Sequence, residues 1–315
     1  MDKRHLFSRA LLFVAMVLLL GVVQARANVF SDFNEKEQRQ YQNAIHFMDN
    51  GMVDTGIDML KDLDKAHPSN RAVVYEIVYG YIVKQDYEGA YQWAKKLLKL
   101  KDADADSYFI AGNAFDYVGK RKEAIEIYEK GLKKFPNSAR LWVEKGNMAY
   151  MMKNYDESVG CYEHAIDVDP NYDASYYRLA NLYALSTDPV WAVMYAQNYQ
   201  LQASKYERLM EMGKLIYDLY RENVTRKDGK WEVTFTKKVN LSAYASLDCD
   251  LPYNGFFYHV HKVVLDEGGF AGDTLTLADV ARLHRKYVEI ADTTAHDYYN
   301  VPVLDMERAA LHEGH

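Results

Sequence analysis

The chain is 315 residues long, which is enough for more than one domain with its own core. Its formal net charge is −7, and removal of residues 1–27, with four basic side chains against one acidic, lowers that charge to −10. An acidic chain binds phosphate backbones poorly, so the composition argues against nucleic acid as a partner. The 27 tyrosines suit helix packing and the walls of peptide-binding surfaces.

The first 27 residues have the three parts of a secretory signal peptide. Residues 1–9 are basic, residues 10–23 form an unbroken apolar run, and Ala25-Arg26-Ala27 places small side chains before a cleavage point. The run is too short for a spanning helix, and an uncleaved anchor remains the alternative. We therefore expect a periplasmic or secreted chain that begins near Asn28 and meets the membrane only if the signal is retained.

Residues 105–172 contain two consecutive blocks of one design. A shift of 34 positions places Gly112 on Gly146 and Pro136 on Pro170. Small residues recur where two helices would approach closely, and each proline follows the second helix, where its missing N–H prevents continuation. A fixed period in this range is typical of stacked helical repeats.

The pattern resembles the tetratricopeptide repeat, of which each copy is a helix–turn–helix of about 34 residues. The same frame extends in both directions without a gap. It gives five repeats, at 37–70, 71–104, 105–138, 139–172 and 173–206. The first and last copies depart most from the motif, as expected at the ends of an array. The resemblance implies an α-solenoid, and together with the predicted signal peptide it indicates an exported protein of bacterial type.

The resemblance also implies a concave groove, lined by motif positions 5, 9, 12 and 13 of each first helix. Asparagines and aromatic side chains on this face can bond the backbone of an extended peptide and cover its apolar groups. The candidate peptide-binding residues are Asn113, Asn147, Asn181, Tyr75, Phe109, Tyr177 and Tyr117. The alternative is that the asparagines bond neighbouring helices and the aromatic residues serve packing.

Residues 207–223 predict one more amphipathic helix, because apolar residues recur there at helical spacing. The predicted apolar face consists of Leu209, Met210, Gly213, Ile216, Tyr217 and Tyr220. We interpret this helix as a cap that covers the last repeat.

Residues 224–315 change character and predict a small α+β region. The Asp-Gly pair at 228–229, before an alternating run, predicts a β-hairpin. Residues 256–264 predict a further strand. Thr276 with Asp279 resembles a capping box and predicts the start of a helix, with Leu277, Val280, Ala281, His284, Tyr287, Val288 and Ala291 as its apolar face.

Two histidines are weak candidates for a metal site. His259 and His261 would point the same way on a strand and could bind zinc together with an acidic residue or His284. No spacing fixes a third ligand, so half-buried strand residues are the simpler interpretation, and no metal or other cofactor is expected. No nucleophile, base and orienting residue can be identified, so we expect no enzyme.

The two cysteines, Cys161 and Cys249, lie in different regions of the sequence. Export would permit a disulfide between them. Two separate thiols, with Cys161 partly buried in a repeat, are the other interpretation.

The sequence thus predicts a mainly α protein, with a tetratricopeptide α-solenoid of about five repeats before the α+β region. The expected function is an exported scaffold or adaptor that binds a protein or peptide partner of the cell envelope in its groove. The alternative is a metal-dependent or hydrolytic activity in residues 224–315, to which the repeats recruit a substrate.

Overall fold

A computed structural model describes residues 32–202, 206–235 and 253–294. The predicted signal peptide and Cys249 lie outside these residues, so cleavage and disulfide pairing stay predictions. Within them the chain has thirteen helices and one two-stranded hairpin. It divides into two compact units, residues 1–145 and 146–315. The predicted fold class, a mainly α repeat protein with a small α+β region at its end, is confirmed.

The first unit is built from antiparallel helix pairs. The helices are α1 (Glu35–Asp49), α2 (Val53–Ala66), α3 (Arg71–Val83), α4 (Tyr87–Leu97), α5 (Ala105–Tyr117) and α6 (Arg121–Lys134). A seventh helix, α7 (Ala139–Met151), begins in this unit and ends in the second. Apart from the first two residues of α1, each pair falls within one predicted repeat.

The second unit continues the pairing and then changes architecture. Its repeat-like helices are α8 (Tyr155–Val168), α9 (Asp173–Ala184) and α10 (Val190–Gln202), followed by α11 (Tyr206–Asn223). The hairpin strands are β1 (Val224–Lys227) and β2 (Lys230–Val233), and two helices follow, α12 (Tyr253–Asp266) and α13 (Leu277–Thr294). None of the described helices is long and apolar enough to cross a membrane.

Glycines mark the points where the two helices of a pair approach most closely. A Cβ atom on Gly112 would lie 2.2 Å from a ring carbon of Tyr128, and one on Gly146 would lie 2.5 Å from Tyr162. Both distances are far below van der Waals contact, so no larger residue fits without a shift of the helices. The close approach predicted at these two positions is confirmed.

The turn between the two helices of a repeat uses a left-handed residue at motif position 15. Gly51, Gln85, Gly119 and Lys153 have φ values of 83°, 63°, 80° and 62°. The left-handed region is costly for residues that carry a Cβ, so two of these four turns hold strain. The fifth repeat has Thr187 at this position, without positive φ, and its turn therefore follows a different path.

The predicted hairpin is confirmed. Val224 pairs with Val233 and Lys227 with Lys230 in an antiparallel register. The two turn residues, Asp228 and Gly229, both have positive φ, which gives the backbone twist that suits a two-residue hairpin.

The predicted strand at residues 256–264 is wrong, because these residues belong to helix α12. The buried side chains are Phe256, Phe257, Val260, His261, Val264 and Leu265. Their spacing of three and four residues is that of one helical face. A strand would instead bury alternate residues, including Lys262, which lies only partly buried.

The faces of two predicted helices are also revised. In α11 the buried residues are Met212, Leu219 and Tyr220, whereas Met210 is exposed. Helix α13 begins directly after Thr276, and the predicted capping pair is present, because Thr276 Oγ1 donates to a carboxylate oxygen of Asp279 in the first turn at 2.7 Å. In this helix Leu283 is buried in place of the predicted Leu277 and Ala281, which are exposed.

Helix α11 contributes to the core that follows it as well as packing on α10. Its Tyr220 joins an aromatic cluster whose ring centroids are 5.1 Å (Tyr220–Phe235), 3.9 Å (Phe257–His261) and 4.9 Å (His261–Tyr287) apart. The last residue of α11, Asn223, is followed at once by β1. No linker therefore separates the helix from the hairpin. Phe235, just after β2, belongs to the same buried cluster as Tyr220 of the helix.

Candidate functional site

The predicted site residues lie on the first helices of the repeats, at motif positions 5, 9, 12 and 13, which we call the first-helix face. These positions recur at spacings of three, four and one residues, so they form one stripe of an α-helix. In the first unit α3 and α5 carry Tyr75, Phe109, Asn113 and Tyr117. In the second unit α7 and α9 carry Asn147, Tyr177 and Asn181.

Position 5 in the first unit is half-buried beside an ion pair. The Arg140 guanidinium lies 4.8 Å from the ring centroid of Phe109 and 2.7 Å from the Asp106 carboxylate. Burial, reinforced by the negative charge of Asp106, raises the pKa of Tyr75 to about 12. The Tyr75 hydroxyl therefore stays protonated at neutral pH and can donate a hydrogen bond.

The asparagines of the third and fourth repeats tie the two helices of their own repeat together. Tyr128 Oη donates to Asn113 Oδ1 at 2.6 Å, and Tyr162 Oη donates to Asn147 Oδ1 at 2.8 Å. Both tyrosines are buried, so each asparagine oxygen satisfies a hydroxyl that would otherwise lack an acceptor. These two oxygens therefore accept hydrogen bonds within the fold, as the alternative interpretation of the asparagines predicts.

Asn181 differs from the other two asparagines. Its Nδ2 donates to the backbone carbonyl of Tyr177 at 2.8 Å, one turn earlier on the same helix. The Tyr177 hydroxyl donates to a Glu211 carboxylate oxygen at 2.8 Å, and the Arg208 guanidinium lies 5.0 Å from its ring centroid. Helix α11 therefore covers part of the first-helix face in the fifth repeat.

The first-helix face exposes large apolar side chains at positions that were not among the predicted site residues. In the first unit they are Tyr79, which is 42% exposed, and Val83. The predicted Tyr117 is 49% exposed on the same kind of face. In the second unit they are Tyr150, Met151 and Leu185. All six occupy motif positions 9, 12 or 13. The periodicity could have identified the five that were not predicted, because they share the motif positions of the predicted residues.

The two candidate metal ligands, His259 and His261, are not brought together. On a helix, residues two apart point in widely different directions, so the shared orientation expected on a strand is absent. His261 is fully buried, with Nδ1 2.7 Å from the Phe257 carbonyl and Nε2 2.9 Å from the Tyr220 hydroxyl. The carbonyl can only accept, so Nδ1 carries the proton and Nε2 accepts from Tyr220.

This arrangement occupies both nitrogens of His261 in the core. Among the described residues, no group of three histidine, cysteine or acidic side chains is placed to hold a metal ion. Burial lowers the pKa of His261 to about 3, which keeps the ring neutral at physiological pH. The side chain therefore acts as a structural acceptor for a buried hydroxyl.

Comparison with known families agrees with this architecture. Residues 105–137 and 139–172 each match a model of the tetratricopeptide repeat. The chain therefore contains tetratricopeptide repeats at the third and fourth predicted copies. The match to residues 139–172 has the same bounds as the predicted fourth repeat.

One relative and two solved structures are similar to parts of this chain. N-alpha-acetyltransferase 16, the NatA auxiliary subunit of Mus musculus, is 27% identical over 104 residues, which cover 32% of this chain but only 12% of that protein. TTC0263, a thermophilic tetratricopeptide repeat protein of Thermus thermophilus, has a TM-score of 0.50 at 16% identity, and the match covers 57% of this chain and 98% of that one. PilW, a type IV pilus biogenesis factor, has a TM-score of 0.49 at 16% identity, over 58% and 87% of the two chains. The TTC0263 likeness shows a shared fold.

Proposed function

We propose that the chain is a non-enzymatic scaffold or adaptor that binds an extended peptide segment of a partner protein on the first-helix face. The observation that carries the proposal is made in each unit separately, since each exposes three apolar side chains at motif positions 9, 12 or 13. Exposed aromatic and apolar groups that recur on one face are typical of surfaces that bind other proteins.

In the first unit this surface consists of aromatic rings with charged groups beside them. The Tyr117 ring packs against Tyr87 with centroids 4.9 Å apart, so both rings are held while their outer sides remain accessible. Arg140 of α7 lies over the Phe109 ring of α5 and forms an ion pair with Asp106. Rigid aromatic anchors with charged groups around them fit a partner segment that carries apolar side chains flanked by polar ones.

A selection experiment supplies a ligand with which to test the proposal. Peptides are selected from a displayed random library on the full chain, and the affinity of a selected peptide is then measured on variants. The double variant Tyr79→Ala, Tyr117→Ala should weaken binding by roughly tenfold or more, because each exposed anchor can contribute about 1 kcal/mol. Tyr206→Ala is the matched control, because Tyr206 is 74% exposed but lies on α11.

The proposal fails if the peptide binds the double variant and the wild-type chain equally well. It also fails if Tyr206→Ala weakens binding as much as the double variant does. Circular dichroism of each variant should match the wild-type spectrum, because the replaced side chains are exposed.

We further propose that the scaffold works outside the cytoplasm. The support is the basic start, apolar run and small residues of the first 27 positions. Mass spectrometry of the exported protein should find Asn28 at its N-terminus. Retention of residues 1–27 would instead make the chain a membrane-anchored scaffold.

A further inference from the structure

A cavity of about 570 Å³ lies in the second unit, at the turn ends of the fourth and fifth predicted repeats. This size is within the range of pockets that bind small ligands. Its lining includes Tyr150, Tyr155, Asp156, Tyr183, Leu185 and Trp191. Tyr150 and Leu185 also belong to the first-helix face, so the cavity opens beside that surface.

The altered turn of the fifth repeat builds one wall of the cavity. Ser186 Oγ donates to the Tyr183 carbonyl at 2.7 Å and accepts from the Asp188 N–H at 3.0 Å. These bonds hold the turn in a shape that the left-handed turns of the first four repeats do not have. Leu185 is 81% exposed on the rim.

Aromatic rings form the other walls. Tyr150 and Tyr155 have centroids 5.7 Å apart, and Tyr183 and Trp191 have centroids 6.5 Å apart. The Tyr183 ring also stacks on Tyr195, with centroids 5.7 Å apart. This contact fixes the Tyr183 ring and covers one of its two faces.

Elsewhere the chain covers aromatic faces with its own cations. Lys96 lies 5.0 Å from the ring centroid of Trp93, and ten further lysine or arginine groups lie over other rings, besides Arg140 over Phe109. In the part of the chain that the structure describes, no lysine or arginine lies over the ring of Tyr150, Tyr155 or Tyr183. These three rings therefore offer faces that can attract a cation from outside.

The charge of the cavity favours the same kind of ligand. Its lining contains two carboxylates, Asp156 and Asp188, and no described lysine, arginine or histidine. Burial, together with the negative charges of Glu163, Asp188 and Asp156, raises the pKa of Tyr183 to about 12. Asp156 is solvent-exposed at the mouth, where it can pair with an entering cation.

We propose that this cavity binds the arginine side chain of a partner protein segment. A planar guanidinium stacks on aromatic rings and forms paired hydrogen bonds with a carboxylate, whereas an ammonium group does neither as well. The inference rests on the proposed scaffold function in that the arginine belongs to the partner. It adds a charge requirement that the apolar first-helix face does not impose.

The test uses two blocked pentapeptides, one with a central arginine among alanines and one with citrulline in its place. Citrulline keeps the shape and removes the charge. In NMR titrations of the full chain, the arginine peptide should bind roughly tenfold more tightly, because loss of a desolvated cation–π contact and a charge-assisted bond removes about that much affinity. The resonances that shift should include the Trp191 indole.

Two variants localise the site. Asp156→Asn should weaken binding of the arginine peptide by roughly threefold to tenfold, since it removes the accessible carboxylate. Asp167→Asn makes the same charge change at the far end of helix α8 and should leave the affinity near the wild-type value. Failure of the first-helix face and failure of the cavity are distinguishable, because the former is measured with the selected peptide on the Tyr79→Ala, Tyr117→Ala variant and the latter with the arginine peptide on Asp156→Asn.

Several results would overturn the inference. Equal affinity for the arginine and citrulline peptides would refute the requirement for a cation. Equal effects of Asp156→Asn and Asp167→Asn would refute the location of the site. A lysine peptide that binds more tightly than the arginine peptide would refute the preference for a guanidinium group. Absence of binding by the arginine peptide at millimolar concentration would refute the proposal as a whole.

Discussion

The repeats and the region that follows them satisfy buried tyrosine hydroxyls with different partners. In the third and fourth repeats the acceptor is an asparagine oxygen, for Tyr128 on Asn113 and for Tyr162 on Asn147. In the last part of the chain the acceptor is a ring nitrogen of His261, for Tyr220. An amide does not titrate, whereas an imidazole does. The difference teaches that comparable packing can be insensitive to pH in one region and sensitive in another.

One tyrosine of the first unit also has a titratable partner, but that partner is an acid rather than a base. Tyr41 is hydrogen-bonded to the Glu76 carboxyl group. Burial, and then the negative charge of Asp49, raises the pKa of Glu76 to about 7. His261 loses its proton more readily in the folded chain, while Glu76 holds its proton more firmly. The two groups should therefore respond to acid in opposite directions.

The largest predicted effect is this opposite response between pH 7 and pH 5. His261 has a folded pKa of about 3, below its unfolded value of 6.5, so the unfolded state binds the proton first and stability falls as the pH drops below 6.5. Relative to His261→Gln, the wild-type chain should lose about 2 kcal/mol of unfolding free energy. Urea unfolding of both proteins at the two pH values measures this loss.

Glu76 supplies the opposite sign. Its folded pKa of about 7 exceeds the ordinary value of 4.5, so stability is fully present below pH 4.5 and is lost as the pH rises through 7. Relative to Glu76→Gln, the wild-type chain should gain about 2 kcal/mol of unfolding free energy between pH 7 and pH 5. If His261→Gln and Glu76→Gln shift the pH dependence in the same direction, the contrast between the two regions is wrong.

A smaller effect separates the asparagines. Asn113→Ala should cost about 1 kcal/mol of unfolding free energy, because it leaves the buried Tyr128 hydroxyl without its acceptor. In the Asn113→Ala, Tyr128→Phe double variant much of that cost should disappear, since donor and acceptor are both gone. Asn181→Ala is the matched control, because its amide bonds only within its own helix among the contacts described.

This measurement also bears on the role of the asparagines in binding. A purely groove-facing asparagine could be replaced without loss of stability. Equal melting temperatures for Asn113→Ala, Asn181→Ala and the wild-type chain would argue that the Tyr128 bond contributes nothing. The asparagines would then be available to a peptide, as the repeat pattern predicts.

Periodicity explains which parts of the fold could be predicted from the sequence. A contact such as Gly112 with Tyr128 recurs at Gly146 with Tyr162, so one chain provides two observations of it. Residues 256–264 occur once, and the strand was predicted there because the sequence Asn254-Gly255 before them is a typical turn signal, although their apolar residues have helical spacing. The cavity beside Tyr183 could not be predicted, since it depends on a turn that breaks the repeat pattern.

The smallest predicted effect sharpens the contrast between turns inside the repeats. Lys153 and Gly119 occupy the same motif position with φ of 62° and 80°. Lys153→Gly should stabilise the chain by about 0.5 kcal/mol, because relief of left-handed strain of roughly 1 kcal/mol exceeds the added entropy of glycine in the unfolded chain. Gly119→Ala should destabilise it by a comparable amount, since nothing lies within 4 Å to clash and only the backbone conformation is strained. Urea unfolding of both variants measures the pair. If Lys153→Gly lowers stability, the lysine side chain contributes more through its contacts than its backbone conformation costs.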